Sequence, residues 1–217
     1  LFSHQEIGNK LSYDRDIIIH DFCKINQIEW KEYQHNGIVR KLKSRKVWES
    51  LWKEKMEAKP ALIADVNWNF LKLDEELYNR LKGEPLAKEI RTNNPSFQPG
   101  GETNAWKYLD GFLKVRHVNY SKHISKPGLS RKSCSRISPY LSYGNISMRM
   151  VYQYTKQHYA SSSNKRALSN FISRLHWHCH FMQKFEDECR MEFENVNRAY
   201  DSLIRPKNEA HILAWQT

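Results

Sequence analysis

The chain has 217 residues, of which 40% are hydrophobic and 12% aromatic, and its 35 Lys and Arg against 24 Asp and Glu give a net charge of +11. This composition allows a buried core, and the sequence lacks both the long apolar stretch of a membrane span and the apolar run of a secretory signal. Four cysteines without C-x-x-C spacing disfavour a disulfide scaffold and an iron–sulfur cluster, so we expect a soluble, cytoplasmic protein. Because it opens on Leu1 instead of methionine, we expect a fragment, truncated at both ends.

The first 59 residues carry the pattern of the last part of an α/β domain. Apolar residues at helical spacing from Ser12 onward predict a helix that ends at Asn26-Gln27, and the alternation over residues 28–33 predicts a strand. Farther along, apolar positions among basic residues predict one or two helices over residues 38–56.

The pattern changes at Pro60, after which proline, glycine and asparagine interrupt every stretch except residues 74–81, which predict a short helix. We interpret residues 60–100 as an interdomain connector. Residues 101–217 are predicted to belong to an all-helical domain. Its helices are expected over residues 102–113, behind Ser138 and Ser147 as N-caps, and from Lys165 onward.

The positive charge is concentrated in one segment. Residues 111–185 contain 13 Lys and Arg and no Asp or Glu, while the other 142 residues hold 22 basic and 24 acidic ones. Aromatic residues and six of the ten histidines are interleaved with these cations. Since basic groups neutralise phosphates and flat rings stack on bases, the segment predicts binding of nucleic acid or a phosphorylated cofactor. A solvated basic face is the alternative.

The helix that begins near Lys165 has two distinct faces. Its predicted core stripe consists of Leu168, Phe171, Ile172, Leu175, Cys179 and Met182. Arg174, Trp177, His178 and Phe181 lie on another side. An aromatic and basic stripe on a helix that already has a core face indicates a ligand-facing side, although packing against another helix produces the same pattern.

Residues 132–149 combine small hydroxyl side chains with a helix start at Ser138-Pro139. Free backbone N–H groups at such a point bind anions, and Arg136 adds positive charge, so the segment predicts a phosphate site. An ordinary capped helix turn is the alternative.

Two kinds of chemistry are disfavoured. His176 and His180 share a helix face, but neither Cys179 nor an acidic residue joins them, which argues against zinc. The absence of carboxylates over residues 111–185 argues against hydrolytic acid–base catalysis.

Several motifs, in order, resemble the photolyase/cryptochrome family of flavoproteins, which have an α/β domain, a connector and a helical domain that holds FAD. They are Phe97-Gln98-Pro99-Gly100-Gly101-Glu102 continuing to Leu113, Tyr120 with Pro127, Cys134 to Gly144, and Arg174-Leu175-His176-Trp177-His178. Residues 209–216 also resemble the family, and residues 2–22 and 37–56 resemble the end of its α/β domain. The resemblance implies a mainly helical middle piece: residues 1–59 from the α/β domain, 60–100 from the connector and 101–217 from the first half of the FAD domain.

The resemblance also implies site residues. It assigns the FAD phosphates to Tyr120, Cys134, Ser135, Arg136, Ile137 and Ser138, and it places Phe171 beside the flavin. It assigns a flipped pyrimidine pair of damaged DNA to Arg174, Trp177 and His178, with Phe181 on the same stripe. It implies neither a metal nor a catalytic residue beyond the flavin. It also implies a monomer that does not associate with membranes. It further implies a second, antenna chromophore of unassigned identity, with Glu6 near the family's antenna-contacting acid.

Four positions depart from the family pattern. Cys134 stands where the family has Thr, Ile124 where an Arg meets DNA phosphate, and His178 where an Arg is usual. Arg174 stands where repair enzymes have a Glu that hydrogen-bonds the damaged pyrimidines, which counts against dimer repair.

The resemblance implies a light-dependent FAD flavoprotein of the deoxyribodipyrimidine photolyase type, which repairs pyrimidine dimers in DNA by electron transfer from reduced FAD. A cryptochrome-like blue-light photoreceptor that binds FAD without repair is one alternative. A flavin-free helical module that binds DNA is the other.

Overall fold

The computed structural model describes residues 1–61, 70–92, 94–204 and 206–216. Part of the predicted connector, residues 62–69 and 93, therefore lies outside the described residues. The chain forms two compact units, the first from residues 1–52 and 176–217 and the second from residues 53–175. The predicted domain boundaries after residues 59 and 100 stay a prediction.

The described ranges contain two strands and eleven α-helices. In chain order these are β1 (Phe2–His4), α1 (Lys10–Ile25), β2 (Lys31–Tyr33), α2 (Trp48–Glu57), α3 (Glu75–Leu81), α4 (Lys88–Arg91), α5 (Glu102–Lys114), α6 (Tyr120–His123), α7 (Pro127–Ser133), α8 (Ser138–Ser142), α9 (Met148–Ser161), α10 (Lys165–Asp187) and α11 (Glu209–Gln216).

The first unit contains a small parallel sheet. Strands β1 and β2 pair with Phe2 opposite Lys31, and α1 forms the crossover that a parallel connection requires. Asn9 caps α1 by accepting a hydrogen bond from the backbone of its first turn, and Asn26 ends the helix. The predicted helix and strand of this region are confirmed, with the strand shortened to three residues.

The core of the first unit is built on tryptophan and a buried amide. Trp48 and Trp52 are buried, and the indole N–H of Trp48 donates to the carbonyl of Gly37 at 3.0 Å. The side chain of Gln183 on α10 accepts from the Val39 N–H at 2.7 Å and donates to the Val39 carbonyl at 2.9 Å. This buried polar side chain is thus hydrogen-bonded, as burial requires.

The second unit is a helical core formed by α5, α9 and the first part of α10. The predicted apolar stripe of α5 is confirmed, since Ala105, Leu109, Phe112 and Leu113 are all buried. Val151 of α9 and Leu168 of α10 are buried as well. Each fully buried aliphatic or aromatic side chain contributes about 1.5–3 kcal/mol, so this stripe supplies much of the stability of the unit.

Helix α10 confirms its predicted core stripe. Leu168, Phe171, Leu175 and Cys179 are buried, and Ile172 and Met182 are half-buried. Within the described ranges no helix is both long and apolar enough to cross a membrane.

Two predicted details are wrong. Of the one or two helices expected over residues 38–56, α2 is present, but the first part of the range is not α-helical: Lys41 has a φ of 56°, a left-handed conformation that interrupts a helix. Ser138 is not the N-cap of α8, which begins at Ser138 itself after Ile137 and has no side-chain capping bond. Ser147 does cap α9, since its hydroxyl accepts the N–H of Met150 at 3.1 Å.

Candidate functional site

The turn between α7 and α8 contains three consecutive backbone donors, although Ser135 and Ile137 are themselves buried. Cys134 is extended, and Arg136 has a φ of 60°, which reverses the chain before α8 begins. In the described part of the chain, the N–H groups of Ser135, Arg136 and Ile137 donate to no protein acceptor. Successive free N–H groups at a left-handed residue form an anion-binding concavity, so this turn can bind phosphate.

The carbonyls of the same turn are bonded by two side chains. Arg116 donates from Nε to the Cys134 carbonyl at 3.4 Å and from Nη2 to the Ser135 carbonyl at 3.3 Å. The Gln98 amide donates to the Arg136 carbonyl at 2.9 Å and accepts from Arg136 Nε at 3.2 Å. With the carbonyls engaged, the N–H groups are left to face a ligand.

Sequence reasoning missed both of these supporting residues. Arg116 belongs to the acid-free segment, but no motif distinguishes it from the other cations there. Gln98 lies inside the motif that begins at Phe97, but the motif gives it no role of its own. Their role depends on contacts across 18 or more residues of sequence, which periodicity does not reveal.

Tyr120 and Phe171 meet in an aromatic cluster of the second unit. Their ring centroids lie 5.9 Å apart, and both rings contact Phe112. Burial raises the pKa of Tyr120 to about 12, an effect that the neighbouring Cys134 strengthens and Arg174 weakens. The structure therefore brings Tyr120, Phe171 and Arg174 close to the turn at residues 134–137, which we call the phosphate turn. Both rings are buried.

Cys134 contributes a neutral group to the turn. It is half-buried, and burial raises the pKa of its thiol, against a lowering by Arg136. A protonated thiol is a weak hydrogen-bond donor, so this position offers a ligand less than the hydroxyl found in the resembling family.

An exposed basic patch lies on α6 and α7, next along the chain to the turn. We call Lys122, Lys126, Arg131 and Lys132 the α6–α7 patch; all four are exposed. None of them forms an ion pair with a carboxylate among the described residues. The buried Ser133 hydroxyl hydrogen-bonds His123 Nδ1 at 2.6 Å, which ties α7 to α6. Cations without carboxylate partners on two joined helices suit a phosphate backbone.

The second half of α10, in the first unit, presents an aromatic pair. Trp177 is 46% exposed and Phe181 59% exposed, and their rings meet edge to face at 6.1 Å. His178 is also exposed, and partial desolvation lowers the pKa of its imidazole, with repulsion from His35 adding to this effect. The face thus offers flat apolar surface and a neutral imidazole.

His176 and His180 pack against tryptophan. The His176 ring lies 4.7 Å from Trp52, and its Nε2 lies 2.8 Å from Glu49 Oε2. Nδ1 of His180 lies 3.0 Å from Nη2 of Arg45, within hydrogen-bond distance. Among the described residues no group of three His, Cys, Asp or Glu side chains could hold a metal ion.

The first unit also contains a cavity of about 550 Å³ between the start of α1 and the end of α10. Its lining includes Asn9, Tyr13, Phe185, Arg190 and Phe193. Glu6 is next to this cavity in sequence, but its carboxylate is engaged by the N–H groups of residues 7 and 8 and by Arg15. A mostly apolar cavity with a few polar groups is the usual form of a small-molecule site.

No protein-family profile matches the chain, and no curated protein matches it in sequence. Among solved structures it is similar to a bacterial class III photolyase from Agrobacterium tumefaciens, with a TM-score of 0.67 and 18% sequence identity. The match covers 99% of this chain and 46% of that one, so the chain spans about half the length of the photolyase. The fold is therefore photolyase/cryptochrome-like and mainly helical, with a small α/β part, as the sequence predicted.

Proposed function

We propose that this chain binds FAD as part of a light-dependent flavoprotein that repairs pyrimidine dimers in DNA. The observation that carries the proposal is the turn at residues 134–137. Among the described residues, three of its N–H groups have no protein acceptor, while Arg116 and Gln98 donate hydrogen bonds to its carbonyls. Unpaired donors next to an arginine without a carboxylate partner fit the pyrophosphate of a dinucleotide. The photolyase-like fold supports the choice of FAD among dinucleotides.

In this proposal each residue of the turn has a binding role. The N–H groups of Ser135, Arg136 and Ile137 donate to phosphate oxygens, and the Arg136 side chain adds charge. The hydroxyl of Ser138 is exposed and makes no capping bond, which leaves it available to the same phosphates. Tyr120, Cys134 and Phe171 would line the same site beside the turn. When bound, reduced flavin supplies the light-driven electron that splits the dimer.

In this proposal DNA is bound by two sets of side chains that do not contact the flavin phosphates, one on α6 and α7 and the other on α10. The α6–α7 patch would neutralise backbone phosphates. Arg174, Trp177, His178 and Phe181 follow one another along α10 at helical spacing, and the exposed Trp177–Phe181 pair would stack against unpaired bases.

A blue-light photoreceptor that binds FAD without repair is the second candidate. The favouring observation is Arg174, which approaches Tyr120 closely enough to lower the pKa of the phenol. A cation at this position cannot accept a hydrogen bond from a pyrimidine as a carboxylate can. Repair would then be weak or absent while flavin binding persists.

The cavity of the first unit is the proposed position of the antenna chromophore. Its size and mostly apolar lining suit a planar pigment. The identity of the pigment follows from extracting and characterising whatever the purified protein retains.

The test is to load the chain with FAD, record its absorption in the blue, and measure repair of a dimer-containing oligonucleotide under blue light. Retained flavin with repair supports the photolyase. Retained flavin without repair supports the photoreceptor, and the variant Arg174→Glu should then gain repair if the lost carboxylate is the reason. A chain that retains no flavin contradicts the proposal.

A further inference from the structure

Gly111 lies in the last turn of α5, and glycine is among the least favourable residues inside a helix. A Cβ atom built at this position would lie 2.8 Å from Nη1 of Arg116, and its other near neighbour, at 3.8 Å, is the same guanidinium. The Arg116 guanidinium therefore occupies the space that a side chain at position 111 would need.

Arg116 uses this position to bond three carbonyls. Besides the carbonyls of Cys134 and Ser135, its Nη2 donates to the carbonyl of Tyr108 at 2.7 Å. The short bond to α5 anchors the guanidinium, and the two longer bonds reach the turn. The flat guanidinium can bond several carbonyls at once because its donors form a rigid fork.

The charge of Arg116 is not neutralised locally. The side chain is half-buried, and no carboxylate of the described chain forms an ion pair with it. Partial burial lowers the pKa of the guanidinium, yet an arginine stays protonated in proteins. A half-buried cation without a counterion favours an anion at the N–H groups of the adjoining turn.

We propose that Arg116, seated in the gap left by Gly111, is the positioning residue of the phosphate-binding turn and sets its affinity for a diphosphate group. The proposal rests on the proposed function, because it assumes that the turn binds the diphosphate of FAD. Arg116 acts through the carbonyls of Cys134 and Ser135, which it holds away from the ligand, and through its unpaired charge.

Three variants separate the effect of the position of the Arg116 guanidinium from the effect of its charge. Arg116→Gln removes the charge and most of the donors. Gly111→Ala keeps the charge but displaces the guanidinium, and it should fold well, because the atom it meets is the end of a flexible side chain and alanine favours the helix. Arg116→Lys restores charge without the fork. Lys107→Gln is the matched control, since it removes an exposed cation of α5 whose side chain forms no ion pair with the described residues.

The measurement is titration of each 217-residue protein with inorganic pyrophosphate and with FAD by calorimetry. We expect Arg116→Gln and Gly111→Ala to weaken both ligands about tenfold, which corresponds to about 1.4 kcal/mol, while Lys107→Gln changes them less than twofold. Arg116→Lys should recover only part of the loss. Full recovery by lysine, or wild-type affinity in Gly111→Ala, would overturn the positioning role.

A second measurement does not depend on ligand binding. Backbone ¹⁵N relaxation of the ligand-free protein reports the rigidity of residues 135–137 directly. We expect lower order parameters at these amides in Gly111→Ala than in the wild type, with unchanged values in α9. If the wild type binds neither pyrophosphate nor FAD, the proposed function fails. In that case, unchanged order parameters of residues 135–137 in Gly111→Ala overturn the positioning role as well. Lowered order parameters show that Arg116 positions the turn, although the turn then binds no diphosphate.

Discussion

Arg136 adopts a left-handed backbone conformation, with a φ of 60°, that a non-glycine side chain occupies only at a cost. Its side chain is held by Gln98, whose amide bonds both the guanidinium and the carbonyl of the same residue. The bonds to Gln98 offset the backbone cost and keep the donors of the turn in place. Glycine would satisfy the backbone but supply no charge, which explains why a large cation occupies a position of this conformation.

The variant Arg136→Asn tests this balance. Asparagine tolerates the left-handed region better than arginine, so the free energy of unfolding should stay within about 0.5 kcal/mol of the wild type. The loss of the guanidinium should weaken FAD binding about tenfold or more, since hydrogen bonds to charged groups contribute about 1.5–3 kcal/mol. Calorimetric titration with FAD measures the effect. Arg131→Gln on α7 is the control, and equal affinity in the two variants would contradict the assigned role.

Three histidines of the first unit have a pKa lowered from the ordinary value, so the fold disfavours their protonation. Burial lowers the pKa of His35 from its ordinary value of 6.5, with repulsion from His4 adding to the effect and Glu6 opposing it. Desolvation likewise lowers the pKa of His178 and of His180, where Arg45 adds repulsion. The unfolded chain therefore binds more protons than the folded chain just below pH 6.5, so stability must fall as the pH falls through that value.

We expect the free energy of unfolding of the wild type to change little near pH 7 and to decrease below about pH 6.5, where unfolded histidines take up protons. His35→Gln should make this decrease shallower, because one histidine that resists protonation in the folded state is gone. Urea unfolding at a series of pH values measures it. His211→Gln, at an exposed position of α11, is the control. A slope in His35→Gln as steep as in the wild type would refute the argument.

At the scale of the helix, Ser138 and Ser147 occupy similar sequence positions but differ in structure. The hydroxyl of Ser147 accepts a hydrogen bond from the N–H of Met150 and so caps α9. Ser138 lies inside the first turn of α8 and makes no capping bond. Two serines before apolar helical runs are indistinguishable by sequence pattern, and only the backbone conformation assigns the cap to one of them.

Ser147→Ala should lower the free energy of unfolding by about 1 kcal/mol, the usual contribution of a serine cap. Ser138→Ala should lower it by no more than a few tenths, because no helix donor loses its partner there. Urea denaturation of the two variants beside the wild type provides the comparison. Equal losses in both variants would show that the capping bond of Ser147 contributes nothing.

Sequence patterns predicted the helices with strong periodicity. The stripes of α5 and α10 are confirmed because a face of apolar residues every three or four positions has one way to be buried. The pattern failed between residues 38 and 47, where apolar spacing looks helical but Lys41 turns left-handed. The residues of the phosphate turn could be named from their resemblance to a family. Their supports, Arg116 and Gln98, could not, since they act through carbonyls that are distant in sequence.

At the scale of the whole molecule, the segregation of charge is the feature that sequence and structure describe alike. The acid-free segment of residues 111–185 includes the phosphate turn and the α6–α7 patch, both within the second unit. Several acidic residues of the first unit form ion pairs with cations of the same unit, as Asp187 does with Arg45 at 2.7 Å. The cations of the α6–α7 patch, which form no ion pair with a described carboxylate, cost stability through repulsion, so a polyanionic partner explains their presence better than folding does.

DNA binding by the α6–α7 patch should therefore depend steeply on salt. Each phosphate neutralised on duplex DNA releases counterions and contributes about 0.9 to the slope of log affinity against log salt concentration. The double variant Lys126→Gln with Arg131→Gln removes two exposed cations whose side chains make no ion pair with the described chain. We expect its slope to be shallower than that of the wild type by about 2, with folding unaffected because both side chains are exposed. Fluorescence anisotropy with a labelled duplex at several salt concentrations measures the slope, and Lys88→Gln on α4 is the control for a cation outside the patch. An unchanged slope in the double variant would remove the patch from the DNA-binding surface, and the basic segment would then serve the phosphates of the cofactor alone.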